Sequence, residues 1–388
     1  MALSIGIALA GLAPASAQAA EPIASTRPDE RPAAGTDEAE LWYAMERIER
    51  ELQVSPLLVR DPELNAYVRG VLCKVTGDYC RDLRLYIVDV PWFNASMAPN
   101  GVMIVWTGSL LRIRDEAQLA LVLGHEFGHY RERHTLQQWR KLKRSSAFLG
   151  TFGVLASGAG VGVAGMVANL AGLATMMKFT RDKEREADRI GFAQLLAQGY
   201  DPNASVALWE GMLREEEARD YGKPIPVFST HPQTRERRDD LKAAADAVPD
   251  PPRELGIHRY RAATRPYLRH WLEQELTRRM FASTIQVLRD LQVGAPPEDA
   301  GLLTFYLGEA YRRRGKEPDK AEAAKLYAQA IAQPGAPPEA WREHGLALRA
   351  SGYRAAAAAA LRRYLELAPQ ADDSAFVTGY LADLEAIR

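Results

Sequence analysis

The stretch GHEFGHY, residues 124–130, sets His125 and His129 four apart with Glu126 next to the first, the pattern H-E-x-x-H. On a helix this spacing projects both imidazoles from one face into the same space. Glu126 lies about 100° round from His125, close enough to reach a water held by a metal. Zinc hydrolysis calls for these groups: neutral imidazoles as ligands and a carboxylate that takes a proton. Gly124 and Gly128 leave room for another element to approach closely. The plain alternative is two surface histidines on an ordinary helix, and the surrounding text argues against it. The motif sits inside a helical pattern opened by the acidic pair Asp115-Glu116. Ahead of it, LYIVDV and VMIVWTG read as two strands joined by a loop holding Pro91, Pro99 and Gly101.

A third ligand must come from elsewhere. No H-x-x-G-x-x-H continuation follows, since Glu132 and His134 do not fit it, which argues against a metzincin. The helix predicted over KEREADRIGFAQLLAQG offers Glu184, Glu186 and Asp188. Glu184 and Asp188 share a face with Ala187, Gly191 and Leu195, while Glu186 points away. That spacing favours Glu184 as ligand and Asp188 as the group that orients a histidine. His134, one turn past the motif, reads as structural.

With HEFGH followed 55 residues later by EREAD, the chain resembles the gluzincin family of HtpX, the CAAX prenyl protease and the Oma-type peptidases. The family pattern E-x-x-x-D with Ala before the Asp is met by Glu184, Ala187 and Asp188. Upstream, FNASMAPNGVMIVWTGSLL resembles the family's N-A-(x)-P-G-G segment at Asn94, Ala95, Pro99 and Gly101, with Asn100 replacing the first glycine. The resemblance implies an edge strand there, beside the active site, to which an extended peptide adds by main-chain hydrogen bonds. Downstream, STHPQTRERRDDL resembles the family's T-H-P-x-x-x-x-R and places His231 and Arg237 near the cleft. Arg237 is implied in charge stabilisation; His231 in either a transition-state contact or a reversible fourth zinc ligand. The matching segments run in order over residues 60–241. They imply a zinc endopeptidase with one Zn2+ per chain on His125, His129 and Glu184, and Glu126 as general base.

The rest of the 388-residue chain suits more than one domain. Apolar content of 47% and charged content of 26% are those of a folded protein. A net charge of −1 with no basic block disfavours nucleic acid as partner. Residues 1–20 are uncharged, with a short apolar run and Ala17-Gln18-Ala19, and read as a secretory signal peptide; an Ala-rich disordered segment is the alternative. Residues 21–38, polar and Pro-rich, read as a flexible lead-in. Cys73 and Cys80 suit a short-loop disulfide in an exported protein, with two unpaired thiols as the alternative. Residues 147–177 carry no charge. Their Gly and Ala richness favours short helices against the core or on a membrane surface over a transmembrane span.

A protease domain is thus expected over 39–248, then a Pro-rich linker over 249–262 and a helical domain over 263–388. Ala323 and Ala357, like Tyr327 and Leu361, are 34 residues apart, the period of tetratricopeptide repeats. Residues 266–297 read as a degenerate first repeat and 374–387 as a capping helix. The fold expected is mainly α with a small β-sheet, an α+β protease domain followed by an all-α repeat solenoid. Family members of this build imply a periplasmic protease in quality control of outer-membrane β-barrel assembly. Its implied partners are polypeptide substrates, among them misfolded outer-membrane proteins, and an assembly machine met through the repeats. Two other readings stand beside it: a chaperone or adaptor whose protease site is latent, and an integral membrane protease resting only on residues 147–177.

Overall fold

The computed structural model describes residues 23–143, 179–222, 231 and 234–386. The expected signal peptide and the uncharged stretch 147–177 fall outside the described residues. No helix among the described residues is long and apolar enough to cross a membrane.

Helix α1 (Asp37–Gln53) starts where the Thr36 hydroxyl accepts the Ala39 N–H. Helix α2 (Pro62–Thr76) starts where Asp61 accepts the N–H groups of Glu63 and Leu64. Both caps satisfy donors that a first helical turn leaves unpaired. A disulfide joins Cys73 and Cys80, whose Cα atoms lie 4.8 Å apart. Three strands follow: β1 (Arg84–Val88), β2 (Ala95–Met97) and β3 (Val102–Trp106). In the sheet order β1-β3-β2, β1 runs parallel to β3, and β2 antiparallel to it with Ala95 opposite Val105. β1 and β2 are thus the two edges; Leu58 bridges Val88 on the outer side of β1, while β2 has no second partner strand among the described residues. It lies in what the apolar pattern alone marked as loop, because three residues show no readable alternation.

After α3 (Thr107–Arg112), Asp115 caps α4 (Glu116–Arg131), which is buried from Glu116 to Tyr130. Helix α5 (His134–Lys143) turns away from its end. Across α4 lies α6 (Arg181–Ala197). A methyl group added to Gly191 of α6 would stand 2.8 Å from the His125 backbone nitrogen, and one on Gly128 of α4 3.0 Å from Ala187 Cα. Only small residues at these points let the two helices meet main chain to main chain. Helices α7 (Asn203–Glu217) and α8 (Thr234–Asp246) complete the layer around α4 and α6.

Two expectations change here. Residues 23–36 lack regular structure, yet they are pinned rather than flexible. The Thr26 N–H donates to Arg131 O (2.7 Å) and the Tyr79 hydroxyl to Thr26 O (2.7 Å), while the Asp29 N–H donates to Asp82 (2.8 Å). Arg133, held at a left-handed φ of 52° between α4 and α5, donates to Thr26 Oγ1 (3.0 Å) and Glu38 (2.9 Å) and pairs with Glu30. Nor is 249–262 a free linker. Ala117 N–H donates to Leu255 O, Asp201 N–H to Glu254 O, and residues 257–264 form helix α9 (Ile257–Thr264).

The helical part begins with α10 (Leu268–Thr277) and α11 (Phe281–Gln292). It continues with α12 (Pro297–Arg314), α13 (Asp319–Ile331), α14 (Pro338–Ala350), α15 (Arg354–Leu367) and α16 (Ser374–Ala386), each packed on the one before. Gly345 faces Leu361 and the Ala357 carbonyl so closely that a side chain there would collide. One hydrophobic core runs from α2 and α4 through Tyr260, Trp271 and Leu303 to Ala340, so the two parts share their interior. A buried ion cluster joins them as well: Arg112 of α3 donates to Glu215 of α7 (2.6 Å) and Glu275 of α10 (3.0 Å), and Arg278 pairs with both acids.

Two outcomes are expected. Gly191→Ala should lower stability by about 1–3 kcal/mol in urea unfolding, because the methyl group must push α6 off α4. Glu116 accepts hydrogen bonds from Lys74, Tyr67, Tyr200 and Arg259; burial alone would raise its pKa, but these donors hold it down to about 2 from an ordinary 4.5. Its folded pKa is the lower one, so its contribution to stability is complete above pH 4.5 and fades as pH falls toward 2. Unfolding curves recorded over that range should lose much of this dependence in Glu116→Gln.

Candidate metal centre

His125 and His129 rise from one face of α4 with their Nε2 atoms 3.1 Å apart. The contact between α4 and α6 brings Glu184 in beneath them, its oxygens 3.6 Å from each of those nitrogens. His231, which precedes α8, adds its Nδ1 at 3.0 Å from both Glu184 oxygens and 3.4 Å from His125 Nε2. The four donor atoms lie within 4.8 Å of one another, and all four side chains are buried. Ligands held tetrahedrally at about 2.1 Å from a zinc are about 3.4 Å apart, and these separations bracket that value. Three imidazole nitrogens and a carboxylate facing one point have too few protons to satisfy one another, and a cation resolves this. The group can hold a metal ion, and its imidazole–carboxylate donors suit zinc.

Around the donors, each partner has a role that can be read from its contacts. Asp188, one turn along α6 from Glu184, accepts from His125 Nδ1 at 2.9 Å, which leaves His125 Nε2 free for a metal. Asp188 is fixed in turn by Arg237 of α8, which donates to its two oxygens at 2.6 and 2.7 Å and pairs with Glu184 at 3.2 Å. Burial would raise the Asp188 pKa, but the Arg237 charge outweighs it and holds the carboxyl well below its ordinary range. Glu184 behaves alike: burial opposes its charge, and His231 and Arg237 restore it. Burial, followed by the neighbouring His125 ring, keeps His129 well below its ordinary value, so the ring is neutral as ligation requires. The Arg237 guanidinium also lies 4.2 Å over the Trp209 ring.

Glu126 does not join the donors. Its carboxyl is buried with its Oε1 3.8 Å from His231 Nε2, and burial raises its pKa. It borders a small cavity lined by Phe93, Ala95, Leu121, Val122 and Trp209. Ala95 thus places the β2 edge next to the site. Asn94 stands just before that strand, its backbone tied to Ser109. Pro99 and Gly101 belong to the turn between β2 and β3 and touch none of the donors; Gly101, at φ 84°, packs against the Asp82 carbonyl.

Several partners were not foreseen. Phe179 stacks on the His129 ring with centroids 4.0 Å apart, and no pattern in the sequence marks it. His134 is buried with its Nδ1 2.8 Å from His129 Nδ1, and its Nε2 lies 3.1 Å from Glu186, expected to point away. The five-residue step from His129 to His134 was the available signal, lost because it crosses a helix break.

Residues 78–245 match Peptidase family M48. The chain is 30% identical over 209 residues to the beta-barrel assembly-enhancing protease of Escherichia coli (strain K12), which covers 51% of this chain and 42% of that protein. It is 28% identical over 218 residues to a putative beta-barrel assembly-enhancing protease of Vibrio cholerae, 54% of this chain and 44% of that one. It is 31% identical over 175 residues to the mitochondrial metalloendopeptidase OMA1 of Schizosaccharomyces pombe, 44% of this chain and 50% of that one. The chain therefore spans half or less of the length of these curated relatives.

Asp188→Asn should weaken zinc binding by about 10–100-fold in a chelator competition, since the His125 contact loses its charge. It should also destabilise the chain by about 3–5 kcal/mol, because Arg237 stays buried without its main partner.

Proposed function

We propose that the chain is a zinc endopeptidase of the cell envelope, with the donors His125, His129 and Glu184 and the general base Glu126. The observation that carries this reading is the convergence of those donors beside a buried carboxylate that is left out of the cluster. The match to Peptidase family M48 supports it. A bound zinc supplies a Lewis acid for the scissile carbonyl and eases the ionisation of a water. Glu126, its affinity for a proton raised by burial, takes the proton of the attacking water and passes it to the leaving amine. Asp188 and Arg237 act through His125 and Glu184, keeping the ring turned and the carboxylate charged. β2, an edge strand among the described residues, is where an extended polypeptide would add as a further strand.

His231 favours a second state of the same enzyme. Three protein ligands and an open position mark a hydrolytic zinc, whereas four close the site. With His231 seated on Glu184 the fourth place is taken, so we read this arrangement as the resting form and its release as the step that admits water. The reading of a latent protease acting as a chaperone or adaptor draws on the same observation.

Helices α10–α15 suit three helix pairs of tetratricopeptide type, with Gly345, Ala357 and Leu361 meeting where that repeat would pack its two helices; the stacked helices would give a surface for substrate or an assembly-machine partner. The names of the beta-barrel assembly-enhancing relatives support work on β-barrel assembly; the periplasm as its place and misfolded outer-membrane proteins among its substrates are our reading from the family resemblance of the sequence.

Casein cleavage and zinc content of the purified chain, compared with Glu126→Gln, test the reading. The variant should keep about one zinc and lose cleavage by roughly 10²–10⁴-fold. His231→Ala should keep zinc and cleave faster than the parent. A folded chain that takes up no zinc would sink the proposal.

A further inference from the structure

The geometry points to His134 and Glu186 as positioning residues that fix which nitrogen of His129 is free to bind the metal. This rests on the metal-centre reading above.

The placement of protons follows from contacts alone. His129 and His134 face each other Nδ1 to Nδ1 at 2.8 Å, a distance at which one nitrogen must donate and the other accept. If His129 gives its Nε2 lone pair to a metal as a neutral ring, its one proton sits on Nδ1. His129 is then the donor and His134 the acceptor, and His134 carries its own proton on Nε2. That proton faces Glu186 Oε2 at 3.1 Å. The carboxylate has no proton to give and only accepts, so it selects the His134 tautomer, which in turn selects that of His129. Reversing either bond would put a proton on His129 Nε2, where the metal binds. Glu186 thus does for His129, through one intervening ring, what Asp188 does directly for His125.

Two further features hold the relay in shape. Phe179 stacks on His129 with the two rings nearly parallel, at 17°, which fixes the ring so that its two nitrogens point at the metal site and at His134. The α4–α5 turn aims His134 back along α4 because Arg133 adopts a left-handed backbone, uncommon for a non-glycine residue. The three side-chain contacts of Arg133 to Thr26, Glu38 and Glu30 hold that conformation.

The test is zinc affinity by chelator competition on the full chain, with the thermal midpoint of the zinc-free protein measured alongside. His134→Phe fills the same space but cannot accept a proton, and should weaken zinc by about 10–100-fold. His134→Asn places an amide oxygen near the lost Nδ1 and should recover most of that loss. Glu186, at 41% side-chain exposure, can be removed without disturbing the core; Glu186→Ala should weaken zinc by a smaller factor and leave the zinc-free midpoint unchanged. Equal affinity in His134→Phe and the parent overturns the inference. So does an equal loss in the Phe and Asn variants that tracks their zinc-free midpoints, since that is packing alone. If His134→Phe does not fold, Glu186→Ala decides: parental affinity there overturns the relay. A parent chain that binds no zinc would instead overturn the metal centre beneath it.

Discussion

The main-chain contact between α4 and α6 is the constraint on which the site depends. Glu184 and Asp188 are far from the histidines in sequence, and their short side chains reach only if the two helices touch. Gly124, Gly128, Ala187 and Gly191 permit that touch, and Gly191 meets the backbone nitrogen of His125 itself. Close approach also removes water, which makes every charge in the site costly unless it has a partner. The structure answers with a closed set: His125 with Asp188, Asp188 with Arg237, Arg237 with Glu184, and Glu184 with the histidines. Glu126 stands apart from this set, with His231 Nε2 3.8 Å from its Oε1.

The helical part is welded to this site rather than appended to it. Arg112, Glu215, Glu275 and Arg278 form a buried cluster across the junction, which is weak evidence for stability but a strong constraint on orientation. Arg278 also lies 4.2 Å over Trp92, and His270 contacts Asp89 at 2.7 Å. Both contacts fall on the loop that leads into β2.

What could be read from the sequence was local. H-E-x-x-H on α4 and the four-residue step from Glu184 to Asp188 on α6 are properties of single helices, and small residues on both announced a close crossing. The two longer strands were visible through their apolar runs. β2 was not visible in that pattern, because three residues carry no period; only the family resemblance pointed to an edge strand there. Residues 23–38 look disordered by composition, yet their order comes from contacts with a turn about 100 positions away, which composition does not encode. The linker reading of 249–262 failed for the same reason: proline marks a break in helix, not a break in packing. Glu186 was set aside because helical spacing describes one helix, whereas its partner His134 stands on another.

The strap formed by residues 23–38 has a thermodynamic consequence. It grips Arg133 from one side of the α4–α5 turn, while the donor His129 reaches the same turn from the other through His134. Coupling through a shared element is reciprocal: whatever the docked strap contributes to metal affinity, a bound metal returns as tighter docking of the strap. A metal at the buried centre would in this way be linked to residues 23–38, through how often that segment lifts away.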